Sequence, residues 1–303
     1  MIQRQELFPP ELNKFLFKRS IPPEKIRRKQ HIPMHGRHLS QTIGDSPEFH
    51  DYRPYAPGDD PRRIDWNLFR RTRKLLLRKS LHFPERKHLI LLDDSPSIRF
   101  RPCRAVTAWR LAALTGGTLL ACGDPVSLRV TGTAGDPVDF RPGDLSVPAL
   151  LDRLSETFGS TPDKEAQKRG QQDLFSFRFP PRFQHVWIVS DFFDPEGFRH
   201  LEKALAAGSG FTPLRIFEKQ ERTPDFTKDF QLRDCENGKE IPVSADPGRM
   251  RRYQERLSLF ERILGNAAFK IGSRRYDFDA ETPLPELLKR FMEELFPEGG
   301  KVL

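Results

Sequence analysis

The chain has 303 residues and a formal net charge of +9, with 37% hydrophobic and 31% charged residues. Such a length can bury a sizeable core, in one large domain or two ordinary ones. No apolar run approaches the roughly 18–20 residues needed to span a bilayer, and no apolar leader precedes Phe8-Pro9-Pro10.

Three scattered cysteines, Cys103, Cys122 and Cys235, have neither disulfide-framework nor zinc spacing, so a cytoplasmic protein is expected. Residues 1–35 are basic and punctuated by proline, and read as an N-terminal arm. Residues 36–84 read as a β-rich extension, broken by Gly44, Pro54, Pro57-Gly58 and Pro61. Tyr55-Ala-Pro-Gly-Asp-Asp60 is a turn signal, and Leu75-Leu-Leu77 a strand signal. Asp59, Asp60 and Asp65 suit turn formation and pairing with neighbouring arginines, while Trp66 offers a large apolar anchor. Basic residues concentrate at Lys18–Arg28 and Arg62–Lys79. These runs are either solvated faces or contacts for an anionic partner: nucleic acid, a membrane surface or an acidic protein face.

Leu89 to Asp93 is an unbroken apolar run ending in a carboxylate, the pattern of a central parallel strand covered on both faces. It leads into Asp-x-Ser-x-Ser, with Asp93, Ser95 and Ser97 at every second position. A second run, Val186 to Val189, ends in Ser190-Asp191. Ligands of open α/β sheets bind beyond the carboxyl ends of strands, where the strand order reverses. One carboxylate and two hydroxyls there, joined by Asp191, form an oxygen set suited to Mg²⁺ or Mn²⁺. The plainer alternative is that Asp93 and Ser95 only start the next helix, as N-caps do.

Arg104–Ala121 reads as a mostly apolar helix, with Gly116-Gly117 allowing close packing on the sheet. Val126–Val130 and Val138–Phe140 read as paired strands, and Val147–Phe158 as an amphipathic helix. Pro195–Ala207 should be helical and Leu214–Phe217 a strand. Asn237-Gly238 marks a hairpin inserted within 230–243. Met250, Tyr253, Leu257, Phe260 and Leu264 make one helical stripe expected in the core. Ala268–Phe278 should contain the last strand, and Leu284 to Leu295 the last helix.

Gly36-Arg-His-Leu-Ser40, Glu48-Phe49, Arg53-x-Tyr55-x-x-Gly58-Asp-Asp-x-Arg62-x-Ile64-Asp-Trp66 and Arg71-Thr72 resemble a widespread bacterial family. The family is the domain of unknown function numbered fifty-eight, which is von Willebrand factor A-like. The resemblance continues through Asp93-x-Ser-x-Ser97, Ser190-Asp191 and Asp234–Glu240. Arg70 and Ile98 depart from the family pattern, where a small residue and a methionine are usual. The resemblance implies a von Willebrand A-like, Rossmann-type domain over 85–303, with a mostly parallel sheet flanked by helices. It also implies Thr161 as a further metal ligand, with Ser160 as its substitute, and a MoxR-type AAA+ ATPase as partner.

No G-x-x-x-x-G-K-[ST] loop, H-E-x-x-H or G-x-S-x-G elbow occurs, so P-loop, zincin and serine-hydrolase chemistry are not expected. The resulting expectation is a non-enzymatic, metal-dependent interaction module with Asp93, Ser95, Ser97, Thr161 and Asp191 as ligands. In that reading it serves as adaptor between the ATPase and a client protein. Two alternatives stand beside it. One is a Mg²⁺-dependent nuclease or phosphatase using Asp93, Asp94 and Asp191; the other is a scaffold with a vestigial metal site.

Overall fold

A computed structural model of the chain describes residues 4–18, 49–80, 87–133, 136–160, 183–193, 210–224, 229–235, 238–243, 247–270 and 273–296. The chain divides into one unit comprising residues 1–33 and 86–303, and a second comprising 34–85.

The larger unit is built on a six-stranded sheet. Its strands are β3 (His88–Leu92), β4 (Val126–Val130), β5 (Val138–Phe140), β6 (His185–Ser190), β7 (Gly210–Phe217) and β10 (Tyr276–Asp279). They lie in the order β10-β7-β6-β3-β4-β5, parallel except for β5, which pairs antiparallel with β4 at one edge. All five residues of β3 are buried. Their alternation shows why: Ile90 and Leu92 enter one hydrophobic core, while Leu89 and Leu91 enter another on the opposite face. An apolar residue at every position is what a strand covered on both sides requires.

On the first face pack α5 (Pro102–Ala121), α6 (Ser146–Gly159) and α9 (Leu284–Leu295). Gly116 and Gly117 make the close approaches: a Cβ on Gly116 would lie 2.6 Å from Leu150 of α6 and 3.0 Å from Ile90 of β3. A Cβ on Gly117 would lie 2.8 Å from Leu16. On the second face Leu264 and Ala267 of α8 (Pro247–Lys270) close the other core. Of the stripe expected to be core in α8, only Leu264 is fully buried, and Met250, Tyr253, Leu257 and Phe260 are half-buried. The helix also runs on to Lys270, so the last strand starts only at Tyr276.

Where an N-terminal arm was expected, residues 4–18 form two short helices, α1 (Arg4–Leu7) and α2 (Pro10–Lys18). Leu7, Phe8, Leu12 and Leu16 are buried in the first core, and Arg110 of α5 donates to the carbonyls of Leu7 and Glu6. Pro10 opens α2, a position where its missing N–H costs nothing. The hairpin expected within 230–243 forms from β8 (Phe230–Arg233) and β9 (Glu240–Val243), with Gly238 at φ 72°. The helix expected at Pro195–Ala207 lies outside the described residues.

The second unit pairs β1 (Phe49–Pro54) antiparallel with β2 (Leu76–Ser80). Between them, Pro61–Arg63 makes a 3₁₀ turn and Trp66–Thr72 forms α3. The aspartates act mainly as caps: Asp60 accepts from Arg62 N, and Asp65 from Leu68 N and the Tyr52 hydroxyl. Asp59 accepts from Ala56 N, and Gly58 takes φ 104°, which the turn requires and glycine tolerates. Trp66 is not the buried anchor its size suggested, because it is 55% exposed, its ring set edge-on to Phe69.

Candidate functional site

Along the sheet the connection from β3 runs to β4 on one side, whereas β6 continues to β7 on the other. The crevice between β3 and β6 is therefore a switch point of the kind at which α/β sheets bind ligands. Asp93 follows β3 and Asp191 follows β6, so the topology sets two carboxylates at this crevice. The Asp93 amide extends the parallel ladder by donating to Val189 O at 3.0 Å.

Asp93 is buried and accepts from Ser95 N at 3.0 Å and from the Ser190 hydroxyl at 2.6 Å. Ser95 is the N-cap of α4 (Pro96–Arg99), but its side chain makes no capping bond; its hydroxyl lies 2.9 Å from that of Ser97. The helix-starting reading accounts for the Ser95 amide on Asp93, but not for the Ser95 hydroxyl, which makes no capping bond. Asp191 accepts from Phe193 N at 3.2 Å and from Arg104 Nη1 at 3.4 Å. Between them Phe192 is held at φ 57°, a left-handed conformation that a bulky side chain adopts only when its surroundings compel it.

Burial, and then the adjacent negative charge of Asp191, push the Asp93 carboxyl up to about 7, against the opposing hydrogen bonds from Ser190 and Ser95. The group thus resists ionisation unless a positive charge is brought to it. Arg104 brings positive charge to the neighbouring Asp191 but is shared. Buried in α5, it donates to Glu218 Oε1 at 3.0 Å, to Glu221 and to the Ser97 carbonyl at 3.2 Å. Arg101 also pairs with Glu218. Four carboxylates (Asp93, Asp191, Glu218, Glu221) therefore face two guanidiniums.

Asp94 is separate. Arg99 holds both of its oxygens and donates to the α6 carbonyls of Phe158 at 2.8 Å and Thr157 at 3.1 Å. Burial raises the Asp94 carboxyl to about 6 despite this guanidinium. The hydrolase alternative needs Asp94 as a third ligand, and Asp94 is already committed to Arg99. Among the described residues no group of three or more His, Cys, Asp or Glu side chains is placed to hold a metal ion. The structure thus brings together Asp93, Ser95, Ser97 and Asp191, while Thr161 lies outside the described residues. The sequence reading missed Arg104, Glu218, Glu221 and Ser190.

The fold and this crevice define an α/β protein with a hydroxyl- and carboxylate-lined site at the switch point of a mostly parallel sheet. A family model described as protein of unknown function DUF58 matches residues 51–261, and the chain belongs to that family. It is 27% identical over 234 residues to uncharacterized protein Mb1516 of Mycobacterium bovis, covering 73% of this chain and 71% of that one. The same figures hold for uncharacterized protein Rv1480 of Mycobacterium tuberculosis. Among solved structures it is similar to the conserved hypothetical protein BatB from Bacteroides thetaiotaomicron, at 16% identity and TM-score 0.34. An aerotolerance-related membrane protein from Bacteroides fragilis matches at 16% identity and TM-score 0.37. In both cases 69% of this chain and 98% of the other are covered. No helix among the described residues is long and apolar enough to cross a membrane.

Proposed function

We propose that the chain is a metal-dependent protein-interaction module of von Willebrand A-like type. The observation that carries the reading is the charge count at the crevice. With Asp93 ionised, four carboxylates against two guanidiniums leave two negative charges unbalanced, the charge of one divalent cation. The donor set fits a small hard ion, since every nearby side-chain donor is a carboxylate or hydroxyl oxygen. Asp93, Ser95, Ser97 and Asp191 would hold Mg²⁺ or Mn²⁺, with Thr161 added by the family resemblance. When bound, the ion supplies an open coordination position for an oxygen ligand from outside.

The chain's own residues set the conditions. Ser190 and the Ser95 amide fix the Asp93 carboxylate, and Arg104 fixes one oxygen of Asp191. Ser95 and Ser97 contribute no charge, so an acidic side chain of a partner can approach without meeting excess negative charge. The family resemblance supports a MoxR-type AAA+ ATPase as the partner and a client protein as the object of remodelling. Mg²⁺ and Mn²⁺ titrations by calorimetry, on wild type and Asp93→Ala, test the metal. Equal affinity in both would end the reading. Capture of a purified MoxR-type ATPase, with and without chelator, tests the adaptor role.

A further inference from the structure

The second unit carries a feature that the crevice does not use. Four cations fall within five residues at the end of α3: Arg70, Arg71, Arg73 and Lys74, all exposed. None of them has an acidic partner among the described residues; Arg70 donates only to the Asn67 side chain. Basic residues at a helix C-terminus complement the macrodipole, but one or two suffice for that, and four crowded together repel one another. Arg73 is also the left-handed cap of α3 at φ 58°, donating its amide to Phe69 O. Glycine or asparagine is the usual occupant of that position, so a charge is kept there against backbone preference.

Apolar side chains stand beside these charges. Ile64 bridges Leu77, and Asp65 N donates to Leu76 O at 3.0 Å, so the segment that leads into α3 runs beside the start of β2. Trp66 is 55% and Leu75 41% exposed. A tryptophan and a leucine near cations that have no acidic partner among the described residues match a surface that is both anionic and oily. Indole rings settle at the headgroup level of bilayers, and arginine and lysine are drawn to anionic lipid phosphates. Single-stranded nucleic acid would use the indole face for stacking, but it gives Leu75 no role, and one half-exposed indole offers no track of stacking platforms.

We propose that this face of the second unit docks on an anionic lipid bilayer, with Trp66 and Leu75 entering the headgroup region and Arg70, Arg71, Arg73 and Lys74 on lipid phosphates. The site is distinct from the crevice and does not depend on metal there.

The other two tryptophans, Trp109 and Trp187, are buried in the core. Red-shifted indole emission therefore reports on Trp66. The full chain is titrated with vesicles of phosphatidylcholine alone and of phosphatidylcholine and phosphatidylglycerol in equal parts. Sedimentation and tryptophan emission are read together. The expected result is binding and a blue shift only with phosphatidylglycerol. Arg70→Gln/Arg71→Gln/Lys74→Gln should lower partitioning about 100-fold, at about fivefold for each charge removed. A variant of equal charge, Arg256→Gln/Arg262→Gln/Lys270→Gln on exposed positions of α8, should retain it. Trp66→Ala should abolish the blue shift. Equal losses in the two triple variants would reduce the effect to net charge and overturn the proposal. Absence of binding would also overturn it, as would tighter binding to an oligothymidylate strand with quenched Trp66 emission.

Discussion

Arg99 grips both oxygens of the Asp94 carboxylate and, with the same guanidinium, the last carbonyls of α6. The residue between two site positions, Asp93 and Ser95, is thereby tied through Arg99 to a helix carbonyl 59 residues beyond that arginine. Trp109 and Phe158 flank the guanidinium at 4.6 and 5.1 Å, so it is fixed by aromatic faces as well as by hydrogen bonds.

Arg99→Ala should consequently cost about 3–5 kcal/mol, because it strands a buried carboxylate. Adding Asp94→Asn should recover part of that loss, since an amide carries no charge to leave uncompensated. Urea denaturation of the two single variants and the double variant measures both effects. A full loss in the double variant would place the cost in lost packing of the guanidinium.

The N-terminal helices belong to the core, and Leu12 is fully buried there. Leu12→Ala should lose about 2–5 kcal/mol, the range for emptying a buried leucine site. Thermal melts decide this, and a change below about 0.5 kcal/mol would mean that α2 contributes little to the folded state.

Trp66→Ala should have little effect on stability, within about 0.5 kcal/mol, as is usual for exposed positions. Metal affinity at the crevice should be unchanged. A loss of several kcal/mol in a thermal melt would show that the ring is buried in solution.

The strand pattern was legible in the sequence because burial on both faces leaves an unmistakable mark: β3 and β6 are apolar at consecutive positions and stop at aspartates. The hairpin was legible through Asn237-Gly238 for an equally local reason. What escaped was of two kinds. In α2, Leu12, Phe15 and Leu16 have helical spacing, but Pro9-Pro10 and the charged neighbours read as punctuation. At α3, Asp65 suited a turn rather than a helix start, and nothing local says which face of a seven-residue helix meets a core. The site divides in the same way. Asp93, Ser95, Ser97 and Asp191 announce themselves by their place at strand ends. Arg104 meets Asp191 across 87 residues and Glu218 across 114, and no motif encodes such pairings.

Burial raises Asp93 to about 7 and Asp94 to about 6, so in the folded, metal-free chain both hold protons that the unfolded chain has released. Stability should therefore fall as pH rises from about 4 to about 7 and level off above that. The slope is on the order of 1 kcal/mol per pH unit for each group. Saturating Mg²⁺, which needs the ionised form, should reverse the trend. Melts in chelator at about pH 5 and about pH 8 measure it, and Asp93→Asn should remove the larger part of the difference, leaving the share of Asp94. A metal-free chain that gains stability with pH would contradict the assigned direction.

The final prediction separates two roles for Arg104. If its guanidinium competes with a bound cation for Asp191, then Arg104→Gln removes a positive charge from the crevice. Mg²⁺ affinity should rise by roughly tenfold, the effect of one partly screened charge nearby. The same substitution leaves Glu218 buried with only Arg101, and Glu221 without its guanidinium. Metal-free stability should then drop by about 3–5 kcal/mol. Calorimetry and urea denaturation on this one variant read the two effects independently, and opposite signs are the expected signature. Weaker Mg²⁺ binding would instead mean that Arg104 serves chiefly to aim the Asp191 carboxylate, its loss freeing that side chain to rotate away from Asp93.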